Sequence, residues 1–216
     1  MSRPCLVLAI ASTAALWALP SLAEPRSGPS LHLLGGAGYA TGNYGFEGMS
    51  HPNYGVPVQP LTFESTVAGP ALTAAVQPGW WLTPHLGLAV ELGGNVQLGG
   101  SDGGLAESRI NQTLGWQGLV LIDAHLSEGP GLYLQAGGGF ARVKFLWEKN
   151  DLGSYDNVVE PSSVGGAVGV LGVGYKLSGS FGLVLRSSYA RLSNDDSHFR
   201  PVSLGLLADF TLGEGT

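Results

Sequence analysis

Apolar residues recur at every second position over most of this chain. Leu86, Leu88, Val90 and Leu92 alternate with Gly87, Ala89, Glu91 and Gly93. Val202, Leu204, Leu206, Ala208, Phe210 and Leu212 alternate with Ser203, Gly205, Leu207, Asp209 and Thr211. Between them, Leu114, Trp116, Val120, Ile122 and Ala124 oppose Gln117, Asp123 and His125, and Leu132, Leu134, Ala136 and Phe140 oppose Gln135 and small residues. A period of two puts one set on each face of a β-strand. The pattern predicts eight strands, at 31–41, 68–82, 85–97, 110–126, 131–146, 162–177, 180–192 and 199–212.

The connections alternate in length. Thr83-Pro84, Ser127-Glu128-Gly129-Pro130 and Ser178-Gly179 read as tight turns, whereas 42–67, 98–109, 147–161 and 193–198 read as long polar links rich in Gly, Asn, Asp and Pro. Short turns at one end and long loops at the other describe a barrel of the outer membrane, with turns in the periplasm and loops outside. An even strand number puts both termini in the periplasm. Aromatic residues fall at two levels, as the two interfaces of a membrane require: Trp80, Tyr175, Phe181 and Phe210 beside the short turns, and Tyr39, Trp116, Phe140, Tyr189 and Phe199 towards the long loops.

The ends and the composition fit export. Arg3, an apolar run from Leu6 to Leu19 and small residues at Ser21 and Ala23 read as a signal peptide, 1–23, cleaved after Ala23. A short periplasmic segment, 24–30, would lead into a single barrel domain over 31–212, with a tail at 213–216. The one cysteine, Cys5, falls in the signal segment, so the mature chain has no thiol for a disulfide, a nucleophile or a zinc site. Nine basic and sixteen acidic residues remain after cleavage, a balance that argues against nucleic acid as a partner. Charged residues make up only 12% of the chain, against about 25% for a typical soluble domain. That is too few to cover a soluble surface of this size, but a wall facing lipid has no such need.

The signal segment, the eight alternating strands and the near-terminal Phe210 together resemble the small outer-membrane barrel superfamily of the OmpA, OmpX and OmpW type. The resemblance covers 31–212 and implies an eight-stranded antiparallel up-and-down barrel in the outer membrane of a Gram-negative cell, inserted by the barrel assembly machinery. In one respect the chain departs from that pattern. Such barrels usually end on the aromatic that the machinery reads, and here Thr211-Leu212-Gly213-Glu214-Gly215-Thr216 follow Phe210. The competing fold is a soluble lipocalin-like barrel with its apolar face inward; low charge and the two aromatic levels speak against it.

Motifs of enzymes find no support in this framework. Gly99-Gly100-Ser101-Asp102-Gly103 has the form of a hydrolase elbow but lies between strands, with no helix after it. The glycines at 35, 36, 38 and 42 likewise lack the helix of a dinucleotide site. Arg191-Leu192-Ser193-Asn194 is similar to the H-x-S-N of lipid A deacylase barrels, but arginine stands where the general base belongs and does not deprotonate in proteins. His51, His85 and His198 have no second ligand at metal spacing. Glu148, Asp151, Asp156 and Glu160 lack the order of a calcium loop and read as a solvated acidic loop. Ten of the sixteen acids lie in the four long links, so the outer face should be negative. No cofactor or metal is expected.

The function expected is that of a monomeric, non-enzymatic surface barrel serving envelope integrity, adhesion or a surface ligand bound by its loops. The alternatives are a barrel binding a lipid or small ligand, a narrow pore and, last, a lipid A-modifying enzyme. Two sets of residues carry the chemistry. By parity Gln77, Glu91, Gln117, Asp123, His125, Gln135, Arg186 and Asp209 point into the lumen, with Arg186 held by Asp209, Glu91 or both. Arg142, Lys144 and Arg191 point to lipid, ~10–14 residues from the nearest short turn. At ~3.4 Å per residue and ~40° tilt they sit roughly 26–36 Å up, just past an apolar band of ~25 Å, where they would either meet lipopolysaccharide phosphates or snorkel towards water.

Overall fold

A computed structural model describes residues 26–49, 60–99, 108–149 and 163–212. The segment read as a signal peptide, the segment 213–216, His51, most of the elbow motif and Asp151, Asp156 and Glu160 lie outside them. Eight antiparallel strands, β1 (Gly28–Met49), β2 (Pro60–Thr83), β3 (Leu86–Leu98), β4 (Ser108–His125), β5 (Gly131–Lys149), β6 (Ser163–Lys176), β7 (Phe181–Ser193) and β8 (Ser197–Leu212), pair in sequence order. β1 closes on β8 from Leu31↔Leu212 to Phe46↔Ser197, so the sheet has no free side edge along that seam.

The side chains obey the period-two rule, with the usual soluble arrangement reversed. Leu92, Leu171 and Leu126 are 65%, 66% and 68% exposed on the outer wall, while Glu91, Lys176 and Gln77 are at most 1% exposed inside. An apolar wall of this extent is tolerated only against lipid, where a closed strand ladder also satisfies every backbone donor and acceptor. Inward glycines let neighbouring strands coil closely. A Cβ at Gly36 or Gly38 would lie 2.1 and 2.3 Å from the carbonyl oxygens of Leu206 and Leu204.

The short-turn end is built from side-chain caps. Thr83 Oγ1 accepts from the amides of His85 and Leu86 at 3.3 and 3.0 Å. Gly131, at φ +157°, leaves the β4–β5 turn where a Cβ would meet Ser127 Oγ at 2.2 Å. At the other end two expectations are corrected. The 42–67 link is largely strand: the β1–β2 ladder continues to Met49↔Pro60, and β3 pairs with β2 only from Ala71 inward. Among the described residues, Pro60–Thr66 has ladder partners on β1 alone and projects as a hairpin, whereas Gly69 still lies against Leu98 and Gly99. The 193–198 link is a tight turn, because Asn194 Oδ1 accepts from the amides of Asp196 and Ser197 at 3.1 and 2.7 Å.

Candidate functional site: a filled lumen and a basic outer wall

Nearest the short turns, Asp209 on β8 organises the lumen. Its Oδ1 lies 3.0 Å from His32 Nδ1 on β1, and its Oδ2 lies 2.9 Å from Lys176 Nζ on β6. Tyr133 OH donates to Oδ2 at 3.3 Å, and Lys176 also donates to Thr211 Oγ1. Beside this set Gln135 Nε2 donates to Asp123 Oδ1 at 2.9 Å, and the His125 ring stacks on Tyr133 with centroids 4.7 Å apart. Trp81 meets His125 edge-on at 4.9 Å, and Arg26 lies over the Trp81 ring. The Arg26 guanidinium then donates to the carbonyls of Ser127 and Gly129 at 3.0 and 2.9 Å, tying the N-terminal segment to the β4–β5 turn.

One layer up, Glu91 on β3 is the acceptor. Arg186 Nη1 donates to Oε2 from across the lumen at 2.7 Å, Gln117 Nε2 donates to Oε1 at 2.7 Å, and Gln77 donates to Oε2. Arg186 thus pairs with Glu91 and not with Asp209. It also lines a cavity of about 40 Å³ with Thr73, Asn95, Gln117, Ser188 and Ser203, room for only one or two waters.

The outer end is closed by apolar side chains. Phe145 meets Tyr44 at a tilt and Phe199 edge-on, with centroid separations of 4.7 and 5.2 Å, and the three are packed with Val67, Val143, Val164 and Leu192. Phe199 is 1% exposed and points inward, not to the lipid girdle where its neighbourhood had placed it. Its odd number, shared with Asp209 and Thr211 on β8, is the signal that gives its true side.

Three members of the inner network were not foreseen. Lys176, His32 and Tyr133 hold Asp209, and parity could have found them. On β6, Leu171, Val173 and Tyr175 face out, so Gly172, Gly174 and Lys176 face in.

On the outer wall, Trp80, Tyr175 and Phe210 are exposed near the short turns, with Phe181 against Phe210 at 5.0 Å. Trp116 and Tyr189 are exposed further up, with Tyr39 and Phe140, and Trp116 lies 5.9 Å from Phe140. Arg142, Lys144 and Arg191 are exposed on the same wall. Arg142 Nε and Nη2 both donate to Ser163 Oγ, at 3.1 and 2.8 Å. Of the deacylase-like residues, Asn194 is engaged in its turn and in donating to the Ser163 carbonyl at 3.1 Å. His85 Nδ1 lies 3.1 Å from the His125 carbonyl oxygen. No group of three or more metal-ligating side chains stands together among the described residues.

No family model matches the chain, and comparison with curated proteins gives no significant match. Solved structures do resemble it. OprG of Pseudomonas aeruginosa, an outer membrane protein, is 12% identical, with 88% of this chain and 99% of that one covered and a TM-score of 0.48. Neisserial surface protein A is 13% identical over 87% and 99%, with a TM-score of 0.44. Ail, the attachment invasion locus protein of Yersinia pestis, is 15% identical over 85% and 99%, with a TM-score of 0.36. At such identities the weight falls on this chain's own features. A closed eight-stranded ladder, an apolar wall with aromatics at two levels and a polar interior define a transmembrane β-barrel. The chain is an eight-stranded transmembrane β-barrel.

Proposed function

We propose that this chain is a closed, non-catalytic barrel that carries no solute and serves the envelope as a fixed support for surface-exposed strand and loop. The observation that supports this reading is the filled lumen: an apolar aromatic plug above two paired polar layers. An eight-stranded wall leaves an interior only just wide enough for its own side chains. The cavity beside Arg186 is about 40 Å³, against the ~300 Å³ or more that a small-molecule site needs, which argues against a ligand-binding lumen. The β1–β2 hairpin, standing beyond β3, is the element best placed to meet a partner. Pro60, Glu64 and Pro70 along β2 are residues that discourage indiscriminate strand addition.

In this reading residues 1–23 are removed on export, the barrel assembly machinery inserts the chain, and the mature protein works as a monomer. Planar-bilayer recording on the refolded protein tests the closure: no steady single-channel step is expected. A step conductance that vanishes on unfolding would overturn it in favour of a narrow pore. Shortening the hairpin by residues 45–64 should abolish any cell-surface binding while leaving the barrel heat-modifiable on a detergent gel.

A further inference from the structure

The outer wall carries a cationic pair that no acidic side chain among the described residues pairs with. The β7–β8 ladder is interrupted beside Pro201, and the shared register of Tyr189↔Val202 and Leu192↔Phe199 on either side brings Arg191 opposite Arg200. Both side chains are exposed on the outward face. Directly opposed residues on adjacent antiparallel strands have Cβ atoms about 4.5–5.5 Å apart, and like charges there repel. Neither arginine makes an ion pair among the described residues, nor do Arg142 and Lys144 on β5. Between β5 and β7, β6 presents Ser163, Gly165 and Ala167 beside these cations, with the Phe140 ring lying over Gly165 and the Arg142 guanidinium held on Ser163 Oγ. The exposed aromatics Phe140 and Tyr189 lie just below, marking the upper edge of the apolar belt.

We propose that Arg191 and Arg200 clamp a phosphate monoester of an outer-leaflet glycolipid, with Arg142 and Lys144 meeting a second phosphate or the same headgroup across the β6 strip. This rests on the outer-membrane reading and adds a specific ligand chemistry to it. Two guanidinium forks side by side suit a phosphate, which offers several oxygens to bidentate donors and carries the charge that cancels their repulsion. The position selects a lipid as the bearer of that phosphate, because the apolar wall directly below would pack its acyl chains. Arg200 was not among the residues expected to touch lipid, and it is the one that makes the repulsion explicit.

The test uses the full refolded barrel in phosphatidylcholine vesicles, with and without lipid A bearing both phosphates. Retained lipid A is weighed by native mass spectrometry, and thermal unfolding is followed by loss of the heat-modifiable gel band. In R191Q/R200Q, retention of bisphosphorylated lipid A should fall about tenfold or more, the loss expected for a charge-assisted contact. Retention of dephosphorylated lipid A should not change. The single variant R200Q supplies a change of sign: it should raise the unfolding temperature in phosphatidylcholine alone, where repulsion is relieved, and lower it when lipid A is present. Unchanged retention in the double variant, an equal loss of dephosphorylated lipid A, or an R200Q effect of the same sign in both vesicles would overturn the clamp. Displacement of lipid A by millimolar inorganic phosphate would overturn the lipid assignment in favour of a free-anion site. The wild-type gel shift reports separately on the barrel itself, and conductance on its closure.

Discussion

Compare the lumen around Asp209 with the lumen around Phe145. The first holds Asp209, Lys176, His32, Asp123, Arg186 and Glu91, all buried, each carboxylate met by at least one donor. The second holds Tyr44, Phe145, Phe199 and branched aliphatics, which fill space with no demand for partners. Both regions lie inside the same closed wall of eight strands, so the strand number does not dictate which chemistry fills it. What differs is how each tolerates damage. A packed aromatic plug loses stability in proportion to the volume removed. A buried ionic set fails when one member is deleted, because the survivors keep their charges without partners.

The largest effect should come from Asp209→Ala. It strands Lys176 and removes the acceptor of Tyr133 and of His32, so about 3–5 kcal/mol should be lost in urea unfolding from vesicles. Adding Lys176→Met to that variant should recover most of the loss; no recovery would mean that the inner region is held by shape and not by charge. Phe145→Ala should cost about 3 kcal/mol and, with Phe199→Ala, should admit ionic leakage that single substitutions in the inner region do not. Arg186→Ala should cost less, about 2 kcal/mol, because Gln77 and Gln117 still donate to Glu91. The smallest change belongs to neither region. Gly131→Ala in the β4–β5 turn should cost about 1 kcal/mol through its positive φ, visible as a lower unfolding midpoint with the lumen unaltered.

The eight strands were legible because, within the bilayer, each residue meets either lipid or lumen, and that contrast writes period two into the sequence. The same reasoning explains why the hairpin beyond residue 42 was not. Over this stretch Tyr44 and Val67 face the apolar plug, but the residues between them are Gly42, Asn43, Gly45, Glu64, Ser65 and Thr66, too few apolar positions to show the alternation in the sequence. The pairing of Arg186 was half legible. Parity and height put it in one layer with Glu91, but choosing Glu91 over Asp209 depends on which strand faces β7 across the closed ring. Lys176 escaped because β6 is glycine-rich on its inward side, which blurred the face until the strand was seen whole.

Arg26 has a consequence for the order of assembly. The seam joins Leu31 to Leu212, a longer sequence separation than any pair of consecutive strands spans. The contact of Arg26 with Ser127 and Gly129 spans little more than half that sequence distance. It can be made while β6 to β8 are still unplaced, and loop closure over the shorter span carries the smaller entropic penalty. The N-terminal strand can thus be moored at the short-turn rim in advance, aligned to receive β8. Replacing Arg26 would leave the finished wall's ladder intact and slow the step that completes it.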